Sequence, residues 1–288
     1  MITEAASAKV NLYLHVGPLR ADGLHDLASL FVFTEDGDVI CVEPAKNISL
    51  HVIGPFADAL KDAPPEQNLV WKAAALLQRE CGVADGVAIT LEKKLPVAAG
   101  VGGGSADAAA ALRALIRLWN VDIAHEKLER LAFALGADVP ACLSRAPVNV
   151  SGAGEKLSPG PALAPLWVTL VNPRVEMPTG PVFRSFDAAN VNPAQPVLAP
   201  VFAASCDGAR GLLTTTRNDL EAPARALAPA IGETLAFLAQ RPGALGARMS
   251  GSGATCFALF PSAEGARRTE RAARARGWWA LASRLCVG

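Results

Sequence analysis

The chain has 288 residues, 51% hydrophobic and 19% charged, which supplies a core for one large or two ordinary domains and excludes a disordered chain. Lys plus Arg balances Asp plus Glu at 27 each, which argues against a general nucleic-acid or membrane-surface binder. Six cysteines, at 41, 81, 142, 206, 256 and 286, form no CxxC pair, and four histidines have no ligand spacing. The expectation is therefore free thiols in a reducing compartment, with no zinc site and no disulfide framework.

The first element is an alternating run, Lys9 to Val16. Val10, Leu12, Leu14 and Val16 share one face of a strand, and Lys9, Asn11, Tyr13 and His15 the other. That second face presents either a lysine and an asparagine to a ligand or a solvated surface; periodicity alone does not choose. LASLFVF and DVICVEP read as two further strands, with Thr34-Glu35-Asp36-Gly37 between them as a hairpin turn. Asn68 to Cys81 has helical spacing, and Gly86 to Glu92 alternates as a strand.

That strand leads through Lys93-Lys94-Leu95 into PVAAGVGGGSADAAA, residues 96–110. Glycine lets the chain turn with positive φ and brings backbone N–H groups close to a ligand. A helix starting directly afterwards adds unpaired N–H groups and the positive end of its dipole. Together these make a phosphate cradle; a flexible turn before a surface helix is the plainer alternative. The loop is not a Walker A motif, because Ser105-Ala106-Asp107 follows the glycines with no Lys. Nor is it a dinucleotide fingerprint, since counting from Gly100 puts Ser105 where glycine is required. Leu112, Leu115, Ile116 and Trp119 give the following helix a core stripe, and Ser105 falls near its start, where a hydroxyl can cap or bind phosphate.

A helix from about Glu126 ends at Gly136, and Asp138-Val139-Pro140 begins a short one. Asp138 in that place reads as a cap, a role compatible with catalysis. Beyond about residue 150, SPGPALAP and VNPAQPVLAP suggest loops and a second domain. Val168 to Val171 reads as a buried strand, residues 248–255 as a small-residue loop before the strand CFALF, and SAEGARRTERAARARG as a basic helix with a solvated face. No apolar run approaches the roughly 18 residues of a membrane span, and the N-terminus lacks the basic flank of a signal peptide, so a soluble cytoplasmic protein is expected.

Three segments in order, AKVNLYLHVGPLRADGLHDL, PVAAGVGGGSADAAA and RMSGSGATCFALF, resemble the GHMP kinases, small-molecule ATP-dependent phosphotransferases. The resemblance covers nearly the whole chain, and with Gly136-Ala137-Asp138-Val139-Pro140 it is nearest to the member acting on 4-diphosphocytidyl-2-C-methyl-D-erythritol. It implies a two-domain α+β fold, cut at 1–155 and 156–288. The N-terminal domain is expected to be ribosomal-protein-S5-like and the C-terminal one ferredoxin-like, with the active site between them. It implies ATP as cosubstrate with Mg2+, held by the loop Pro96, Val97, Ala98, Ala99, Gly100, Val101, Gly102, Gly103, Gly104, Ser105 and Ala106. Lys9 and Asp138 are the implied catalytic residues; Asn11, Leu24, His25, Thr179 and Phe183 line the substrate pocket; Gly251, Ser252 and Gly253 form the third-motif loop. No protein metal cage is implied, and the partners are the two small molecules, not nucleic acid or membrane. The sequence departs from the family pattern at Leu24 (usually Tyr, beside the cytosine), Val101 (usually Leu) and Ala106 (often Ser). A kinase for mevalonate or homoserine, or a non-catalytic nucleotide-binding regulator, is the alternative reading.

Overall fold

The computed structural model describes residues 1–189 and 193–287. Val191 and Asn192, at the start of the VNPAQPVLAP stretch, lie outside the described residues. In chain order the elements are β1 (Ile2–Leu19), β2 (His25–Ala45), β3 (Ser49–Ile53), α1 (Leu69–Cys81), β4 (Gly86–Glu92), α2 (Gly103–Leu118), α3 (His125–Leu135) and α4 (Val139–Ser144). There follow β5 (Val148–Gly152), β6 (Lys156–Pro159), β7 (Trp167–Asn172), α5 (Thr179–Ala189), α6 (Cys206–Thr215), α7 (Glu221–Leu227), α8 (Pro229–Ala239), β8 (Gly246–Met249), β9 (Cys256–Phe260), α9 (Ala263–Arg274) and β10 (Trp279–Arg284).

Two compact units share these elements. The first holds Met1–Ala8, Asp36–Val97 and Gly102–Ser144; the second holds Lys9–Glu35, Ala98–Val101 and Arg145–Gly288. The chain thus passes from one unit to the other inside β1, inside β2 and twice within the glycine-rich loop.

In the first unit β3 runs parallel to β4 and the latter half of β2 antiparallel to it. Helices α1 and α2 pack together with α3 and α4. Helix α1 starts where its sequence says: the Asn68 side chain accepts from the Val70 N–H, and Gly82 ends the helix with φ of 64°. The alanine run Ala108–Ala111 of α2 is fully buried, small side chains that let neighbouring backbone come close.

In the second unit the first half of β2 pairs antiparallel with β5, and β5 with β6. A separate four-stranded antiparallel sheet has the order β10-β7-β9-β8, with α8 and α9 packed on it. Val171, Ile231, Phe237, Leu238, Met249 and Phe260 share its core. Helix α9 turns Ala266, Thr269 and Ala273 inward and leaves Arg267, Arg268 and Arg271 exposed, the solvated basic face its composition suggested.

The hairpin expected at Thr34–Gly37 does not form; those residues lie inside the unbroken strand β2. Gly37 is there for close approach, not for turning, since a Cβ on it would stand 2.0 Å from the Ala6 carbonyl oxygen. Thr34, part of the expected turn, and Asp38, the first residue of the strand expected after it, are fully buried. The other face of β1 is not solvated either: Lys9, Asn11, Tyr13 and His15 are all buried.

Candidate active site

The middle of the glycine loop is fixed by neutral hydrogen bonds. The Lys9 N–H donates to the Val101 carbonyl at 2.9 Å, and the Thr255 N–H to the Ala99 carbonyl at 3.2 Å. Ser250 is the junction: its hydroxyl accepts from the Asn11 N–H at 3.1 Å and donates to the Gly100 carbonyl at 3.0 Å. These contacts lie within the second unit and bring the lysine–asparagine strand, residues 98–101 and the third-motif loop together. Gly100 has φ of 74°, and a Cβ there would stand 2.6 Å from the Ser250 carbonyl oxygen, so no other residue fits.

Lys9 lies with its ammonium 3.9 Å from the centre of the Phe31 ring. Asn11 donates through Nδ2 to the Ser29 hydroxyl at 3.0 Å, while its buried Oδ1 has no hydrogen-bond partner. An orphaned buried acceptor on the strand that carries Lys9 is a natural contact for a substrate hydroxyl.

The third-motif loop is held from behind. Asn218 donates through Nδ2 to the carbonyls of Met249 at 2.9 Å and Gly251 at 2.8 Å. The buried Arg248 guanidinium donates to the carbonyls of Leu12, Leu213 and Thr216. Burial lowers Arg248 to about 10, yet four donor contacts satisfy it and it stays charged at neutral pH.

One face of α5 carries the predicted substrate residues. Thr179 pairs its hydroxyl with that of Ser252 at 3.0 Å. One turn on, Phe183 stacks on His25 with ring centres 5.2 Å apart, and a turn further Asp187 lies 3.2 Å from His25 Nε2. His25 Nδ1 meets the Gly17 carbonyl at 2.9 Å, so both ring nitrogens have protein partners. Of these two partners Asp187, 41% exposed, is the one open to solvent. Leu24 is exposed.

In the first unit, Gly102 precedes α2 with φ of 63° and caps it without a side chain, so Ser105 is a first-turn residue whose hydroxyl does not cap the helix. Pro96 and Val97 enter the loop from this unit, and the Ala106 N–H closes the first helical bond on the Gly102 carbonyl at 2.9 Å. Asp138 is half-buried just before α4. Arg113 anchors α4, donating to the carbonyls of Cys142 and Leu143 and to that of Ala5. The Gly104 backbone lies close to Leu69, the first residue of α1. Beside it, Leu50, Val52, Pro64, Pro65 and Asn68 line an open cleft of about 470 Å³, largely apolar and large enough for a nucleoside.

Residues 68–145 match the GHMP kinases N terminal domain and residues 207–277 the GHMP kinases C terminal domain. The chain belongs to the GHMP kinase family. Among its relatives is the 4-diphosphocytidyl-2-C-methyl-D-erythritol kinase of Parvibaculum lavamentivorans, 48% identical over 280 residues and 96% of each chain. Another of that name, from Cereibacter sphaeroides, is 48% identical over 289 residues and 99% of each chain. The crystal structure of a 4-(cytidine 5'-diphospho)-2C-methyl-D-erythritol kinase superposes over the full length of both chains with a TM-score of 0.81 at 35% identity. Homoserine kinase from Cytophaga hutchinsonii shares the fold, with a TM-score of 0.66 at 21% identity over 98% of this chain and 95% of its own. The GHMP kinase fold here is the two-domain α+β architecture that the three motifs implied.

Ser250, Arg248, Asn218 and Asp187 were not among the residues singled out from sequence. Arg248 and Ser250 stand in the RMSGSG motif itself, so the signal was present; Asn218 and Asp187 have no motif around them, and only folding brings them to the loop and to His25.

Proposed function

We propose that this GHMP kinase transfers the γ-phosphoryl group of ATP to the 2-hydroxyl of 4-diphosphocytidyl-2-C-methyl-D-erythritol, a step of non-mevalonate isoprenoid synthesis. The observation that carries the reading is identity near 48% over almost the whole chain to relatives named for that activity. Phosphoryl transfer asks the protein chiefly for positioning and for stabilisation of charge. The amides of residues 100–106 bind the β- and γ-phosphates, and the apolar cleft beside Asn68 takes the adenosine.

A magnesium ion would be carried by the phosphates of the nucleotide, with Ser105 beside them on the glycine loop, and would supply charge neutralisation for the transferring group.

Asp138 accepts the proton of the attacking alcohol, a contribution of about 10²- to 10⁴-fold for a positioned base. Lys9 supplies positive charge that stabilises the alkoxide-like oxygen. The orphaned Asn11 Oδ1 accepts from the polyol. Phe183 and His25 take the cytosine, with Phe183 carrying the stacking where Leu24 replaces the usual ring; Thr179 lines the same pocket. No helix among the described residues is long and apolar enough to cross a membrane.

Coupled ADP release with each alcohol in turn tests the reading. Turnover on the cytidylyl substrate and none on mevalonate or homoserine is expected; the reverse preference overturns it. Asp138→Asn is expected to bind ADP normally and lose turnover about 10²- to 10⁴-fold. Near-normal turnover in that variant removes Asp138 as the base, and wild-type binding of ADP without turnover on any of these alcohols favours a regulator.

A further inference from the structure

Beneath the start of α2 lies a charged cluster that the reaction does not use. Asp38 on β2, Lys93 just past β4 and Asp107 in the second turn of α2 are 0%, 3% and 3% exposed. Lys93 Nζ donates to Asp38 Oδ2 and, at 2.8 Å, to Asp107 Oδ2. Asp38 Oδ1 accepts from the backbone N–H groups of Lys94 at 2.5 Å and Leu95 at 2.8 Å. A Cβ on Gly103 would stand 3.4 Å from Lys93 Nζ, so the ammonium lies directly under the first helical residue after the loop.

Stability alone is a poor reason for such a cluster. Desolvating three ionisable groups costs as much as or more than their attraction returns, and well-packed apolar residues serve a core as well or better. What apolar residues cannot do is hold backbone at a fixed angle. Here one ammonium ties three chain segments together: β2 through Asp38, the strand end entering the loop through Lys94 and Leu95, and the helix leaving it through Asp107. Both approaches to the glycine loop within the first unit, residues 93–97 and 102–107, are pinned at a single point.

We infer that Lys93, with Asp38 and Asp107, is a positioning residue for nucleotide, setting the angle at which the first turn of α2 presents its N–H groups to the triphosphate. The inference rests on the proposed ATP-dependent activity and on phosphate binding at residues 100–106. The Lys93 ammonium, engaged by two carboxylates, acts only through the backbone it holds.

The test compares Lys93→Met and Asp107→Ala with Lys94→Met, whose side chain pairs at the surface with Glu92. Steady-state kinetics with both substrates, calorimetric ADP affinity and thermal melting are measured for each. In Lys93→Met and Asp107→Ala, KM for ATP and Kd for ADP are expected to rise about tenfold or more, since small misplacement of binding groups is costly. KM for the cytidylyl alcohol is expected to stay within about twofold, a split that separates nucleotide binding from general loosening. Lys94→Met is expected to match wild type. Variants that melt earlier yet keep wild-type KM for ATP and Kd for ADP overturn the inference, as does a parallel rise of both KM values. Should Lys93→Met fail to fold, Asp107→Ala decides, because it keeps the Lys93–Asp38 pair. If wild type shows no turnover on the cytidylyl alcohol, the functional reading falls, and ADP affinity alone decides the inference.

Discussion

The glycine loop is supported in two different ways along its length. Residues 98–101 are held by uncharged contacts: backbone bonds to Lys9 and Thr255, and the Ser250 hydroxyl on Gly100. Residues 102–107 stand over the ion cluster of Asp38, Lys93 and Asp107. Neutral hydrogen bonds do not titrate over the physiological range, whereas a buried ion cluster does. Burial pushes the Asp107 carboxyl up to about 8, repulsion from Asp38 adds to this, and Lys93 opposes it. Burial likewise opposes the charge on Lys93, but its two carboxylates outweigh that and hold the ammonium above its usual value. The two halves of the glycine loop should therefore break differently.

Gly100→Ala should do the most damage. It forces a side chain into positive φ and into contact with the Ser250 carbonyl, so a loss of more than about 2 kcal/mol is expected by chemical denaturation. Nucleotide affinity should fall with it. A stable, active Gly100→Ala protein means that the loop backbone is not placed as described.

Ser250→Ala comes next. It leaves the buried Asn11 N–H and Gly100 carbonyl without their shared partner, a cost of about 1–3 kcal/mol. That loss should be the same at pH 6 and pH 9, since nothing in the contact titrates; a pH-dependent loss would erase the contrast between the halves.

Asp107→Asn should instead change the pH dependence. In the folded protein this carboxyl keeps its proton up to about pH 8, while in the unfolded chain it ionises near 3.8. The folded state therefore binds the extra proton between those values, and stability falls as pH climbs through that window. The asparagine variant lacks this slope, so its melting temperature relative to wild type should rise between about pH 5 and pH 9. Parallel melting curves across that range show that the ion cluster does not titrate there.

The smallest effect is expected at Gly104, where a Cβ meets only Leu69 Cδ1 at 3.7 Å, an ordinary contact. Gly104→Ala should stabilise the helix by about 0.5–1 kcal/mol. ADP affinity should fall nonetheless, because the new methyl sits on the first turn, where phosphate is proposed to bind. Stability and affinity moving in opposite directions distinguishes a glycine kept for ligand from one kept for fold; Gly100 should lose both together.

Local chemistry was readable in the letters wherever it closes within a few residues. Asn68 caps α1 through Val70, Gly86 to Glu92 alternates and forms β4, and the glycine run followed by alanines gives a loop and a helix. The three ordered motifs carried the family and its fold. The reading failed at Thr34–Gly37, where letters that normally mark a turn continue a strand: Thr34 is buried, Gly37 yields to Ala6, and the next residue, Asp38, meets a lysine 55 residues away.

Sequence by itself thus determined most of the segments, the loop-then-helix form of the glycine run and the family, because hydrophobic period, glycine content and capping act over a turn or two of chain. Tertiary structure decided that both faces of β1 are buried, that Ser250 joins Asn11 to Gly100, that Asp187 reaches His25, and that Asp38, Lys93 and Asp107 meet. Each of those depends on burial or on contact between distant segments. Whether a polar side chain meets water or an ion partner is fixed only when the chain closes around it.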